Sequence, residues 1–503
     1  MKRILITMTI GLGFSLAHAA PDRGDYLIKF KNNTSTMFRS LALKALPAQS
    51  SVESLDFDGW HQVQIPRAQL QNFRLSALSK LPGVEYVQPN YKVRLLEQPS
   101  LAQIKEQLKE HLKNEPNPDD VENLASGGPA DIKKQDNPEI PAVVQNPGQG
   151  EDPLFSNQWG MIDVGVTKAW NRTMGRKEVV VAVIDTGVDY THEDLVANLW
   201  RNPGETGPDL RGRDKATNGI DDDGNGYIDD QIGWDFVSND NKPYDLAYSG
   251  MDLLSGGNPG HGTHCAGNVA ARGKNGKGVT GVAPNISIMS LRFLSEDGQG
   301  TTAGAIKAIR YALRNGAHIT SNSWGSEGED PREAKENKAL RDAIQASQDK
   351  GVLFVAAAGN GHDGVGYDND TDSLPGFPAS YDHDVIISVA ALDSTDHLGS
   401  FSNWGVRTVD IGAPGVKIFS TTVKSQYSDT VINIPNMITA TWDGTSMATP
   451  YVAGAAALYL SANPKATWRE IKKAILQTAM PIPDLSGKLV SGGKLNVEKL
   501  MMQ

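Results

Sequence analysis

From residue 179 onward, short continuous apolar runs alternate with stretches that repeat at helical spacing. The runs at residues 179–184, 286–291, 317–321, 352–357 and 385–390 lack the in-out alternation of a half-exposed strand, so each predicts a strand covered on both faces. Residues 302–314, 333–349 and 468–478 instead carry the pattern of amphipathic helices. Strands of the first kind separated by helices of the second predict an α/β fold built on a doubly wound, mainly parallel sheet. In that architecture ligands gather outside the carboxyl ends of the strands. Asp185 and Asn360 fall at two such ends.

The earlier chain has other patterns. Residues 1–19 place Lys2 and Arg3 before an apolar run and finish on Ala17-His18-Ala19, which predicts a secretory signal peptide with an A-x-A cleavage site. The alternative is a membrane anchor, but the run is too short to span a bilayer comfortably. No later segment has the length and apolarity of a membrane span, so a secreted or extracytoplasmic protein without stable membrane insertion is expected. Residues 26–30, 60–65 and 83–87 read as strands and 67–81 as a helix, predicting a small α+β domain within residues 20–98. Residues 99–150 turn rich in Pro, Gly, Asn and acidic side chains after a short charged helix at 101–113. They predict an exposed linker that is easily cut. Residues 151–503 hold the main domain.

Composition narrows the function. The 503 residues are 39% hydrophobic, enough for a large core, and the net charge of -11 argues against a general nucleic-acid binder and for a soluble, self-repelling monomer. A single cysteine, Cys265, excludes an intramolecular disulfide framework. Stability after export must then come from packing and from metals.

The candidate chemistry is concentrated in a few motifs. Asp443-Gly444-Thr445-Ser446-Met447-Ala448-Thr449-Pro450 leads into Tyr451-Val452-Ala453-Gly454-Ala455, an apolar helix with Ser446 at its N-terminus. There unpaired N–H groups and the helix dipole favour an anion. Pro450 is expected in the first turn, where its missing N–H has no helical partner. Alone, such a serine is usually a cap. Its company changes the reading: Val183-Ile184-Asp185-Thr186-Gly187, His261-Gly262-Thr263-His264-Cys265 and Ala357-Ala358-Gly359-Asn360 supply an acid, a base and an amide, with Asp, His and Ser in that chain order. The residues alone leave His261 and His264 as competing bases.

These motifs resemble the subtilisin-like serine proteases (subtilases, peptidase S8), of the thermitase and proteinase K type, over roughly residues 150–480. The resemblance implies a calcium-stabilised serine endopeptidase made as a zymogen. It selects His261 as the base, Ser446 as nucleophile, Asp185 as the group that orients the imidazole and Asn360 as an oxyanion donor. It implies that residues 20–98 are an inhibitor I9-like propeptide, acting as an intramolecular inhibitor. Peptide substrate would lie as an added strand between Gly298-Gln299-Gly300 and Ser323-Trp324-Gly325. Gly376 would stand beside a pocket for a large apolar residue. Trp324 replaces a smaller aliphatic residue of the family, and the acidic insertion at 362–374 is unfamiliar. Cys265 is expected beside His261 as a bystander.

Calcium has a reading from the residues too. Asp221, Asp223 and Asn225 stand at positions 1, 3 and 5 of an EF-hand-like loop, with Gly226 at 6 and the Tyr227 carbonyl at 7. Position 12 is Ile232, so Asp230 or Asp229 would have to close the site. By resemblance, a second Ca²⁺ site uses Asp152, Asp194, Asn275 and the carbonyls of Gly273, Lys277 and Val279, and Asp235 and Asp240 are weaker candidates for a third. Two other functions compete: a catalytically silent binding protein of the same fold, and a calcium-binding surface protein.

Overall fold

The computed structural model describes residues 23–70, 75–96, 137–144, 149–249, 253, 257–326, 336–362, 364–434 and 438–503. The expected signal peptide and the charged helix at 101–113 lie outside them. The chain divides into two compact units, residues 1–90 and 91–503.

In the first unit, β1 (Arg23–Phe30), β2 (Ser51–Phe57), β3 (Trp60–Pro66) and β4 (Val84–Pro89) form an antiparallel sheet in the order β2-β3-β1-β4. Ile28 and Phe30 on β1 and Val63 and Ile65 on β3 point to one face and are fully buried with Ala42 and Leu78, as period-two alternation requires. The helix expected at 67–81 is present as Arg67–Leu70 and Leu75–Leu78. Helix Thr36–Lys44 and strand β2 were not foreseen. β2 is an edge strand on which Leu55 is buried among exposed polar neighbours, so its apolar signal is weak.

The second unit begins with β5 (Lys92–Leu95). Its main sheet is built on β6 (Val180–Asp185), β7 (Gly233–Asp235) and β8 (Ser287–Arg292), with β9 (Gln299–Thr301) standing apart. After β10 (Ile319–Asn322) and the short β11 (Trp324–Gly325) come β12 (Leu353–Ala357), β13 (Ile386–Leu392) and β14 (Ile411–Pro414). Two hairpins follow, β15 (Ser420–Thr422) with β16 (Gln426–Ser428) and β17 (Thr430–Ile434) with β18 (Ile438–Thr441), and then β19 (Met480–Pro481) and β20 (Gly493–Lys494). The nine-stranded sheet runs β19-β20-β14-β13-β12-β10-β6-β8-β7, and every neighbouring pair is parallel except β19 with β20. Strands β6, β8, β10, β12 and β13 are buried at every position, because helices cover both faces.

Helix Thr445–Ala462 packs on β10, β12, β13 and β14 and on helix His261–Ala270. Gly454 allows that last contact: a Cβ there would stand 2.7 Å from the Val282 side chain and 3.1 Å from the Val269 carbonyl. Part of the expected exposed linker is anchored instead. The Tyr190 hydroxyl donates to the Pro138 carbonyl (2.6 Å), Arg201 to the Pro141 carbonyl (2.6 Å), and Ile140 packs with Tyr190, Leu199 and Ile232.

Candidate active site

Strand β6 delivers Asp185 at its carboxyl end, buried, with the Thr186 N–H donating to its Oδ1 (2.8 Å). The chain then turns at Gly187, whose φ of +102° and close approach to the Pro243 and Tyr244 carbonyls exclude a side chain. Helix His261–Ala270 starts against that turn. Asn258 caps it by accepting from the N–H groups of Gly260 and His261 (both 2.9 Å), and Gly262 donates to Thr186 Oγ1 (2.9 Å). A Cβ on Gly262 would lie 2.0 Å from the Gly187 carbonyl, so the second residue of the His motif has to be glycine.

Asp245, wholly buried, ties the two elements together. It accepts from Thr186 Oγ1 (2.9 Å) and Asn258 Nδ2 (2.7 Å) through Oδ1, and from Thr263 N (2.8 Å) and Oγ1 (2.6 Å) through Oδ2. No motif points to Asp245, because it is bonded to motif residues rather than standing among them. Asn258 did carry a signal, a capping residue just ahead of a helix start.

The result is a 2.8 Å hydrogen bond between His261 Nδ1 and Asp185 Oδ1, both buried. Burial pulls the imidazole's pKa down, but the Asp185 carboxylate overrides it and holds His261 well above its ordinary value. His264 faces elsewhere. Its Nε2 lies 3.0 Å from the Ile418 carbonyl, its ring stacks on Trp442 at 4.2 Å, and burial drives its pKa down to about 3, so it is neutral. The structure therefore brings His261, not His264, to the aspartate.

Ser446 lies buried in the first turn of helix Thr445–Ala462, and its hydroxyl donates to the Ser323 carbonyl (3.2 Å). Pro450 is not in that first turn, as expected from sequence, but one turn further on, where it deprives the Ser446 carbonyl of its helical N–H partner. Two side chains take over: Ser323 Oγ donates to that carbonyl at 3.0 Å and Cys265 Sγ at 3.5 Å. Cys265 thus has a structural task. It also sits 3.8 Å from His261 Nδ1, with burial pushing its thiol pKa up and keeping it neutral.

Asn360 has its side-chain oxygen fixed by the Thr445 N–H (2.8 Å) and hydroxyl (2.9 Å), which sets the orientation of the amide. Its Nδ2 would be 3.2 Å from a Cβ on Gly444, whose φ of +152° also suits glycine alone.

The two walls expected for an extended peptide are β9 and β11, and a strand lies between them. β5 is antiparallel to both: Lys92, Val93 and Arg94 pair with Thr301, Gly300 and Gln299, while Arg94 and Leu95 pair with Gly325 and Trp324. Leu95 N–H donates to the Gly298 carbonyl (2.8 Å). Val93 and Leu96 are buried, and the Leu96 side chain comes within 3.3 Å of where a Cβ on Gly325 would be. Trp324 is fully buried edge-on against Phe293.

The acidic insertion supports the same region. Asn369 donates to the Ala358 carbonyl (2.9 Å) and accepts from Gly376 N (3.1 Å) and Asn403 Nδ2 (3.1 Å), fixing Gly376 beside the strand end that leads to Asn360. A Cβ on Gly376 would stand 2.6 Å from the Ala358 carbonyl.

The calcium candidates separate into three groups. Asp221, Asp223, Asn225 and Tyr227 share one loop: Asn225 N donates to Asp221 (3.0 Å) and Asp223 (2.9 Å), and Tyr227 N to Asn225 Oδ1 (2.8 Å). Asp230 has both carboxylate oxygens engaged by amides and a hydroxyl, accepting from Asn202 Nδ2 (2.9 Å), Asn225 Nδ2 (2.9 Å) and the Tyr311 hydroxyl. Asp229 accepts from Gly219 N (3.1 Å). In the second group, Asp152 accepts from Lys274 N (2.8 Å) and Asn275 N (3.1 Å). Asp194 accepts from Asn275 Nδ2 (2.8 Å) and Val279 N (2.8 Å), and Lys277 N donates to Asn275 Oδ1 (3.0 Å). Gly273 opens that loop, packed against Thr280. Two carboxylates and an amide, brought together from three chain segments around the 273–279 loop, are oxygen donors of the kind Ca²⁺ takes. In the third group Asp235 and Asp240 exchange backbone hydrogen bonds (2.9 and 3.1 Å), but both side chains are engaged elsewhere. Asp235 is ion-paired with buried Arg292 (2.6 Å), which already answers its charge, and Asp240 caps Lys242 N (2.9 Å).

Comparison with known proteins agrees with this geometry. Residues 176–498 match the family model described as "Subtilase family", peptidase S8. The chain is 34% identical to thermitase of Thermoactinomyces vulgaris over 349 residues, 69% of this chain and 97% of that protein. It is 34% identical to a thermophilic serine proteinase of Bacillus sp. (strain AK1) over 339 residues, 67% of this chain and 65% of the relative. Fervidolysin of Fervidobacterium pennivorans is 30% identical over 422 residues, 81% of this chain and 48% of that protein.

Proposed function

Because the chain belongs to the subtilase family of serine endopeptidases, we propose that it hydrolyses peptide bonds with Ser446 as nucleophile, His261 as general base and acid, and Asp185 as the group that orients His261 and stabilises its charge. The observation that carries this reading is the buried 2.8 Å bond between His261 and Asp185, at the start of helix His261–Ala270. Ser446 Oγ attacks the substrate carbonyl carbon while its proton passes to His261 Nε2. The oxyanion accepts hydrogen bonds from Asn360 Nδ2 and the Ser446 N–H, and His261 returns the proton to the leaving amine. Water repeats the sequence on the acyl-enzyme.

The register of β5 supports a zymogen reading. Arg94 and Leu95 pair with Gly325 and Trp324 and the buried Leu96 follows beside Gly325, which supports reading Leu96–Glu97 as the first bond cut. Val93, also buried, anchors the strand upstream. A groove that accepts Leu96 favours large apolar residues at the cleaved position. Residues 1–96 then form the leader and inhibitory segment of an exported protein. Among the described residues no helix is long and apolar enough to cross a membrane. Ca²⁺ at the loops of Asp152, Asp194 and Asn275 and of Asp221 and Asp223 would bind the folded form alone and stabilise it by mass action.

A catalytically silent binding protein is favoured by one feature, the Ser446 hydroxyl resting on the Ser323 carbonyl. An assay of processed protein on casein or a chromogenic peptide decides between them. Turnover in the parent and none in Ser446→Ala is expected; equal rates would overturn the catalytic assignment.

A further inference from the structure

The loop at 221–227 lacks the closing carboxylate of an EF-hand, and the structure supplies one from outside the loop. Glu205 is fully buried. Its Oε1 accepts from the N–H groups of Asp222 (2.7 Å) and Asp223 (3.2 Å), which fixes the side chain against the loop. Its Oε2 is buried and has no hydrogen-bond partner. One carboxylate oxygen each from Glu205, Asp221 and Asp223 lie within 4.8 Å of one another, and among the described residues none of the three is in an ion pair. Oxygens on opposite sides of a bound Ca²⁺ are separated by about 4.6–5.2 Å, twice the Ca–O distance, so this spacing suits one ion shared by all three. The loop amides hold the carboxylates in place: Asn225 N bonds both aspartates, and Gly226 N donates to Asp221 Oδ2 (2.8 Å). Asp230, the residue the loop pattern offered for this role, has both oxygens occupied by Asn202, Asn225 and Tyr311.

We propose that Glu205, together with Asp221 and Asp223, forms a Ca²⁺ site in which Glu205 is the closing ligand and Asp230 only supports the loop. The remaining coordination falls to backbone carbonyl oxygens and water. The site ties the 202–205 turn to the acidic loop, which would otherwise hold like charges together without a counterion. The inference rests on the calcium part of the proposed function and is independent of catalysis, so it is tested on the full chain carrying Ser446→Ala.

The probe is Tb³⁺ added to divalent-free protein. Tyr227 lies 4.9 Å from Trp234 and 5.0 Å from Tyr311, so a lanthanide in this loop should luminesce on aromatic excitation. Glu205→Gln keeps an oxygen for the Asp222 and Asp223 amides and removes the charge. It is expected to weaken the luminescent site at least about tenfold and to remove part of the Ca²⁺-dependent rise in Tm. Tyr427 lies beside Asp194 and would sensitise an ion in the other loop too, so the titration is run with and without Asp194→Asn, which should leave the Glu205-dependent part of the signal unchanged. Affinity and Tm shift equal to the parent in Glu205→Gln would overturn the proposal. Should that variant fold poorly, hydrogen exchange of the parent decides: Ca²⁺ is expected to slow the amides of Asp222 and Asp223 relative to EGTA, and equal rates would reject the site.

Discussion

In the proposed mechanism Ser446 attacks only when His261 is neutral, so the acid limb of kcat/KM should report that imidazole. The Asp185 carboxylate favours the charged ring and raises its pKa, which moves the limb of the processed enzyme to higher pH than a free histidine would give. Replacing Asp185 with Asn removes the charge and leaves burial, which favours the neutral ring. The limb should then shift to lower pH while the plateau falls by about 10⁴. A pH-rate profile of the two proteins checks both effects. A limb that stays in place would mean the 2.8 Å bond does not set the imidazole's charge.

The two helices that meet at the site carry costs of their own. Helix His261–Ala270 buries His264 as a neutral ring with a pKa of about 3. Its folded value is below its unfolded one, so it contributes stability that is present above pH 6.5 and lost as pH falls through 3, about 5 kcal/mol in all, of which about 4 is gone by pH 3. Asp245 acts in the opposite sense. Burial raises its pKa to about 6, and its contribution, present below pH 3.8, is lost as pH rises through 6. The parent's pH curve is therefore composite, and comparison with His264→Gln isolates the histidine. In the Ser446→Ala background, urea unfolding at pH 7 and pH 3 should show the gap between the proteins moving about 4 kcal/mol in favour of the glutamine variant; a constant gap would contradict the buried neutral ring. In the partner helix, Gly454→Val would push a side chain into Val282 and the Val269 carbonyl. We expect a loss of about 1–3 kcal/mol in the same unfolding experiment.

For the molecule as a whole, the proposed zymogen reading turns on which parts would remain after cleavage. Leu96 fills its place because it is apolar and its neighbours pair with β9 and β11. Leu96→Asp should leave unprocessed precursor, while Leu96→Phe should mature and give a product beginning at Glu97, as N-terminal sequencing of secreted material would show. The contacts of Pro138, Ile140 and Pro141 with Tyr190, Arg201 and Leu199 give residues 137–144 a reason to stay on the enzyme even if the chain before them is trimmed.

Much of this was legible in order along the chain. The five apolar runs identified buried parallel strands, residues 302–314 and 468–478 became helices with those same bounds, and the motifs around Asp185, His261, Asn360 and Ser446 stood out because each is a local signal at a strand end or helix start. The relations between distant segments were not legible. Nothing near His264 says that its ring turns to Ile418, nothing near Asp245 that it bonds Thr186 and Thr263, and nothing in the acidic loop that Glu205 comes to meet it. Pro450 shows the limit most plainly: sequence put it in a tolerant first turn, while the fold put it one turn later and answered the orphaned Ser446 carbonyl with Ser323 and Cys265. Patterns of burial and capping are written in neighbouring residues, whereas the partner of a buried polar group is chosen by whichever chain the packing brings within about 3 Å of it.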